Sequence, residues 1–209
     1  MRTHGWGGRP PTDDAEARDR IIAAAKLALD RYGPEKTTLA DVASDLGVTR
    51  QTVYRYFKNT EDLFRAAALS SAAEFLDRLE ARVRPLKEPS EVLSEAMAWT
   101  LERLPQERYL GVLLAMGNDD AMTQGITSEP ARALGRAVLD RFNVDWQSLG
   151  LDETGRDELA EVMLRLLVSF VRDPGDPPRS PKDLRAFLRR WVGAMIATQP
   201  SASAANAGP

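Results

Sequence analysis

The chain has 209 residues, 43% of them hydrophobic and 28% charged, with a net charge of −3. That is ordinary globular composition, sufficient to bury a core and long enough for one large domain or a small one joined to a medium one. Cysteine is absent and His4 is the only histidine, which removes disulfides, thiolate nucleophiles, histidine bases and the usual zinc ligands. No run approaches the ~18 apolar residues of a membrane span, and the polar, Gly/Pro-rich residues 1–12 do not read as a signal peptide. A cytoplasmic protein with no membrane contact, metal or cofactor is expected. The charge is uneven: residues 1–58 hold ten Lys/Arg against eight Asp/Glu, and residues 59–209 hold eighteen against twenty-three. Phosphate contact is therefore expected at the N-terminal end.

Low-complexity sequence is confined to residues 1–12, expected to be a flexible arm, and 199–209, expected to be a disordered tail. Between them helical periodicity dominates and strand signals are nearly absent, so an all-α fold of about nine helices is expected. The first helix is placed over 14–32, with Ile21, Ala25, Ala28, Leu29 and Tyr32 on its inner face; Gly33 ends it and Pro34 blocks its continuation. A short second helix over 39–46 follows Thr38, which forms a capping-box pattern with Asp41. Gly47 ends it. Thr49 caps a third helix reaching about residue 57, with Val48 and Val53 spaced as a hydrophobic staple. Further helices are placed over 60–83, 90–104, 106–116, 129–142, 154–172 and 181–198, the last with Ser180 as cap, Pro181 in the first turn and Asp183 completing a box.

The informative stretch runs from Thr37 to Leu63. Two short helices joined by a tight Gly-containing turn suit a helix-turn-helix, whose second helix enters the major groove. At ~100° per residue, an inward Val53 brings Phe57 beside it and Tyr56 to a flank. Gln51 and Arg55 then point outward between Thr52 and Tyr54, and Arg50 sits in the first turn. Arginine pairs with guanine and glutamine with adenine through two hydrogen bonds each, while a threonine methyl can meet thymine.

The segment from about residue 19 to 63 resembles the DNA-binding domain of the TetR family. The matching residues are Tyr32-Gly33, Thr37-Thr38, Val42-Ala43, Gly47-Val48-Thr49, Val53-Tyr54, Phe57 and Leu63. The resemblance implies a DNA-binding domain over 13–59 and a helical ligand-binding and dimerisation domain over 60–198. It implies that Arg50, Gln51, Thr52 and Arg55 read or approach bases, that Tyr54 and Tyr56 contact phosphates and sugars, and that Thr38 bonds a phosphate at the start of the second helix. Thr49, at the cap, belongs to the same surface. The family often has lysine where this chain has Thr60, and Lys58 is expected to take over that contact. Gly8-Arg9-Pro10 resembles an arm that enters the minor groove, which makes Arg9 a further DNA contact.

The resemblance also implies a homodimer joined through the last two helices. Their apolar stripes are Leu159, Val162, Met163, Leu166 and Phe170, and Leu184, Phe187, Leu188, Trp191 and Met195. Two recognition helices would then meet successive major grooves of double-stranded operator DNA, ~34–36 Å apart. A small hydrophobic effector is implied in a cavity lined by Phe75, Met97, Trp99, Leu101, Tyr109, Leu113 and Met116. Repression is the expected output. Two other readings stand beside this one: a regulator with a filled core governed by a protein partner, and an all-helical carboxylate enzyme using Asp119, Asp120 or Glu107. An exposed acidic turn explains those three carboxylates more simply.

Overall fold

The computed structural model describes residues 5–107 and 128–197. Among them are eight α-helices and no strand: α1 (Asp14–Tyr32), α2 (Leu39–Asp45), α3 (Arg50–Tyr56), α4 (Thr60–Val83), α5 (Pro89–Arg103), α6 (Glu129–Asp140), α7 (Glu153–Arg172) and α8 (Pro181–Ala197). Residues 108–116 of the helix expected over 106–116, and the tail at 199–209, lie outside the described residues. Chain contacts divide the molecule into two compact units, Met1–Ala73 and Glu74–Pro209, with the boundary inside α4.

Local chemistry explains where the helices begin and end. The Asp13 carboxylate accepts the Glu16 N–H at 2.8 Å and starts α1. Thr38 and Asp41 form the full reciprocal box at the start of α2, with Asp41 N–H to Thr38 Oγ1 at 3.3 Å and Thr38 N–H to Asp41 Oδ2 at 2.9 Å. Thr49 accepts the Thr52 N–H at 3.1 Å at the start of α3. Gly47, with φ 65°, makes the turn between α2 and α3 in a conformation that side chains with a Cβ disfavour. Asn59 accepts the Asp62 N–H at 2.7 Å at the start of α4. Ser180 accepts the Asp183 N–H at 3.3 Å at the start of α8.

In the N-terminal unit the core is made of Ile21, Ile22, Ala24, Ala25 and Ala28 of α1, Leu39, Val42 and Ala43 of α2, Val53 and Phe57 of the α3 segment, and Leu63 and Ala67 of α4. Thr37 is also buried, and its hydroxyl donates to the Gly33 carbonyl at 2.8 Å. Tyr32, expected on the inner face of α1, is instead exposed; it is the last residue of the helix, beyond the reach of α2 and α3.

The N-terminal segment corrects the expectation of a free arm. Residues 6–8 form a single 3-10 turn, and Trp6 lies against the core of this unit. The Trp6 N–H donates to the Leu46 carbonyl at 2.8 Å, and Arg20 of α1 donates to the Arg9 carbonyl. Gly5 lies so close to the helix-turn-helix turn that a Cβ there would come within 2.9 Å of the Gly47 carbonyl oxygen. An aromatic ring and a committed backbone N–H hold this segment, and neither is apparent from its Gly/Pro content.

In the second unit α5 runs along α8 and α6 pairs with α7. The core contains Leu79, Val83, Val92, Leu93, Met97, Leu139, Phe142, Trp146, Leu188, Val192 and Ile196. The buried Trp146 indole N–H donates to the Leu139 carbonyl at 3.2 Å. Arg185 of α8 bridges Glu95 and Glu102 of α5, with Arg185 Nε 3.0 Å from Glu95 Oε2. Burial pushes the Glu95 carboxyl up, but hydrogen bonds from Arg185 and Arg82 outweigh it and hold the group below the usual glutamate range. α5 and α8 are thus joined by charge-assisted bonds at the edge of an apolar seam.

Trp6→Ala removes a partly buried aromatic ring and should destabilise the protein by about 1–2 kcal/mol in urea titration. Leu27→Ala, on the exposed face of α1, should change stability by less than about 0.5 kcal/mol. Equal, negligible effects would mean that the N-terminal segment is not held as described.

Candidate nucleic-acid interface

The rotation of α3 is fixed by Val53 and Phe57, both 0% exposed. Arg50, Gln51, Tyr54 and Arg55 are exposed, Tyr54 at 55%, and Thr52 and Tyr56 are intermediate. This is the face anticipated from helical angle, and it carries both arginines and the glutamine. Thr49 is exposed, but its hydroxyl lies 2.8 Å from that of Thr52 as part of the cap. Lys58 is exposed just beyond α3, and its backbone N–H reaches Asp62 Oδ2 at 3.4 Å. Arg9 is exposed, with its backbone carbonyl held by Arg20.

Thr38 fills the capping-box role expected of it. Its hydroxyl donates to Asp41 Oδ2 at 2.6 Å, so the proton a phosphate would need is committed to the capping box. That bond, then the one from the Thr38 backbone, holds the Asp41 carboxyl below the usual aspartate range. The box is therefore intact at neutral pH and is lost only as pH falls through this lowered pKa.

Two α1 residues that sequence reasoning missed bear on α3. Arg18 donates to the Tyr56 carbonyl at 3.1 Å and places its guanidinium 4.3 Å from the centre of the Phe57 ring. Asp14 accepts a hydrogen bond from the Tyr56 hydroxyl at 2.7 Å and pairs with Arg55. Both contacts join residues about 40 positions apart, and no local spacing signals them.

The candidate residues of the second unit are distributed less as expected. Phe75 and Met97 are buried, Met97 within the main core. Trp99 is half-buried with its ring 5.0 Å from that of Phe75. Leu101 alone of the described candidates lines a cleft of about 630 Å³, beside Leu104, Phe170, Val171, Leu184 and Arg179. Tyr109, Leu113, Met116, Asp119 and Asp120 lie outside the described residues, and Glu107 pairs with Arg78. Of the candidate dimer residues, Leu159 and Leu188 are buried in their own protomer's core, with Leu188 at 0% exposure. They are spent on internal packing. Val162, Met163, Leu166 and Phe170 of α7 and Leu184, Phe187 and Met195 of α8 are half-exposed. Trp191 is 59% exposed. Among the described residues no helix is long and apolar enough to cross a membrane, and no three His, Asp or Glu side chains are grouped to hold a metal ion.

Residues 21–67, which contain the whole helix-turn-helix, match the profile of bacterial regulatory proteins of the tetR family. The N-terminal segment is thus similar to the DNA-binding domain of the tetR family. The chain is 27% identical over 197 residues to an uncharacterized HTH-type transcriptional regulator of Mycobacterium tuberculosis, covering 92% of this chain and 91% of that one. It is 41% identical over 71 residues to the HTH-type transcriptional regulator TtgR of Pseudomonas putida, covering 34% of this chain and 33% of TtgR. The fold is similar to that of the TetR family repressor AlkX from a Dietzia strain, implicated in biodegradation of n-alkanes, with a TM-score of 0.59 and 20% identity over 87% of this chain and 96% of that one. The Mycobacterium tuberculosis and Pseudomonas putida relatives are both helix-turn-helix transcriptional regulators.

Gln51→Ala should relax base preference at one position of the bound DNA, while Lys58→Ala should weaken binding to all sequences alike and lower the salt slope by about 1. Competition binding on a set of single-base operator variants distinguishes the two effects. The reverse pattern would mean that the outer face of α3 is assigned wrongly.

Proposed function

We propose that the chain is a homodimeric, sequence-specific repressor whose α3 reads operator bases and whose second unit responds to a small hydrophobic effector. The observation that carries the DNA part is the burial of Val53 and Phe57, which leaves Arg50, Gln51, Tyr54 and Arg55 together on the outer face. Direct base readout falls to Arg50, Gln51, Thr52 and Arg55; Tyr54, Tyr56 and Lys58 serve the backbone. Repression follows from occupancy of a promoter, which needs no further activity.

Dimerisation is supported by the half-exposed apolar side of α7 and by Trp191 of α8. A large exposed aromatic ring has the character of an interface anchor. Two copies joined there would present two α3 helices to successive major grooves. Because Trp191 is exposed in the protomer, Trp191→Glu should leave the fold intact while producing monomers in sedimentation and weakening operator binding. Dimers that persist with unchanged affinity would exclude α8 from the interface.

An effector is supported by the cleft lined by Leu101, Leu104, Phe170, Val171 and Leu184, with the Arg179 guanidinium 4.3 Å from the Phe187 ring centre at its edge. Its volume of about 630 Å³ lies in the range of small-molecule sites. The AlkX relative, linked to n-alkane degradation, makes a lipophilic effector reasonable here too. A panel of lipophilic compounds should contain one that raises the melting temperature and releases DNA, and Leu101→Trp should abolish both effects. If no compound acts, control by a protein partner becomes the better reading.

The central test is titration of labelled upstream DNA at two salt concentrations against random competitor. Specific, salt-dependent binding that Arg55→Ala weakens roughly five- to a hundredfold supports the reading. Equal weak binding to both DNAs, indifferent to Arg55, overturns it.

A further inference from the structure

Asp14 is the first residue of α1, but it does not cap that helix. Asp13 does so, through the Glu16 N–H at 2.8 Å. The Asp14 side chain is instead directed to the end of α3. Its Oδ1 accepts the Tyr56 hydroxyl at 2.7 Å and also pairs with the Arg55 guanidinium. Arg55 in turn donates to the Tyr56 hydroxyl and lies 4.7 Å from the centre of the Tyr56 ring. Three side chains from two helices thus close into one cluster, and two of them belong to the surface assigned to DNA.

The cluster is built on a fixed frame. Arg18, one turn further along α1, donates to the Tyr56 carbonyl at 3.1 Å and lies 4.3 Å from the Phe57 ring centre. Val53 and Phe57 secure α3 from below. The spacing between the start of α1 and the end of α3 is therefore set by backbone and core contacts, independent of the ion pair. The pair itself is open to water, with the Asp14 side chain 79% exposed and that of Arg55 65% exposed. Exposed pairs of this kind add little to folding. The hydrogen bond from Tyr56, followed by the charge of Arg55, holds the Asp14 carboxyl below the usual aspartate range, so it is ionised at neutral pH.

We propose that Asp14 is a positioning and specificity residue for DNA reading, a built-in counter-ion that holds Arg55 against Tyr56 until an operator acceptor takes its place. The proposal rests on the assignment of α3 as the base-reading helix. Away from the operator, Arg55 is neutralised by its neighbour and the carboxylate repels phosphate, so this end of the helix adds little to binding of arbitrary sequence. At the operator, a guanine edge or a well-placed phosphate offers Arg55 a better-aligned partner and the pair opens. Asp14 thereby lowers affinity for wrong sites more than for the right one, which is how a repulsive element creates specificity.

The test is Asp14→Asn in the full-length protein, measured on operator and on random DNA across a salt series, with wild type, Asp14→Glu, Arg55→Ala and the double variant alongside. Asparagine keeps an acceptor for Tyr56 and removes the charge. The freed arginine should add about one phosphate contact on random DNA, steepening the salt slope by roughly 0.9 and raising affinity about fivefold at physiological salt. Operator affinity should rise less, so the specificity ratio falls. Asp14→Glu should restore the wild-type ratio, and in the Arg55→Ala background Asp14→Asn should have little effect. Equal changes on both DNAs, or a full effect that survives without Arg55, would overturn the proposal while leaving the recognition helix in place. Wild-type protein that binds both DNAs equally would overturn the recognition-helix reading and this proposal with it.

Discussion

Seven residues are too few for a helix to hold together in water, so α3 (Arg50–Tyr56) exists because Val53 and Phe57 are buried. Their burial among Ile21, Ala25, Val42 and Leu63 does two things at once. It supplies the apolar contact that about two turns of hydrogen bonds lack, and it sets the rotation of the helix about its own axis. With that rotation fixed, the residues at 50, 51, 54 and 55 must face outward. The caps refine the arrangement: Thr49 stops the chain entering α3 from fraying, and Arg18 ties its last carbonyl to α1. The outer face proposed to meet DNA is a consequence of core packing.

Much of this was legible in the sequence because it is local. The end of α1 follows from Gly33 and Pro34, and the caps at Thr38, Thr49 and Ser180 follow from hydrogen-bonding groups within three residues of the N–H they satisfy. The outer face of α3 follows from a fixed angle per residue. What escaped the sequence depends on residues distant along the chain. Trp6 resembled part of a free arm because its bond to Leu46 and its packing against the core join parts of the chain far apart in sequence. Asp14 resembled an ordinary first-turn carboxylate because its partners lie more than 40 positions away. Asn59 caps α4 through the Asp62 N–H, one residue before the Thr60 where the family often has lysine.

The second unit shows a further limit of periodicity. A stripe of apolar residues on a helix says that a face is buried, but not whether its own chain or another copy buries it. Leu159 and Leu188 share their stripes with Val162 and Trp191. Only the first pair is consumed by the protomer's own core. In the same way, Phe75 and Met97 have the composition of a ligand lining and act as core, while Leu101 lies at the rim of a cleft built largely from residues near the ends of α5, α7 and α8. Side-chain type indicates hydrophobicity; the accessible remainder has to be seen.

The central claim is that α3, presented twice by a dimer, reads a defined sequence. The most direct measurement is selection of binding sites from a pool of random DNA by the full-length protein. The account predicts one enriched, two-fold-symmetric motif whose half-site centres lie about 10 base pairs, or a multiple of that, apart. A folded, DNA-retaining protein that enriches no motif would contradict it.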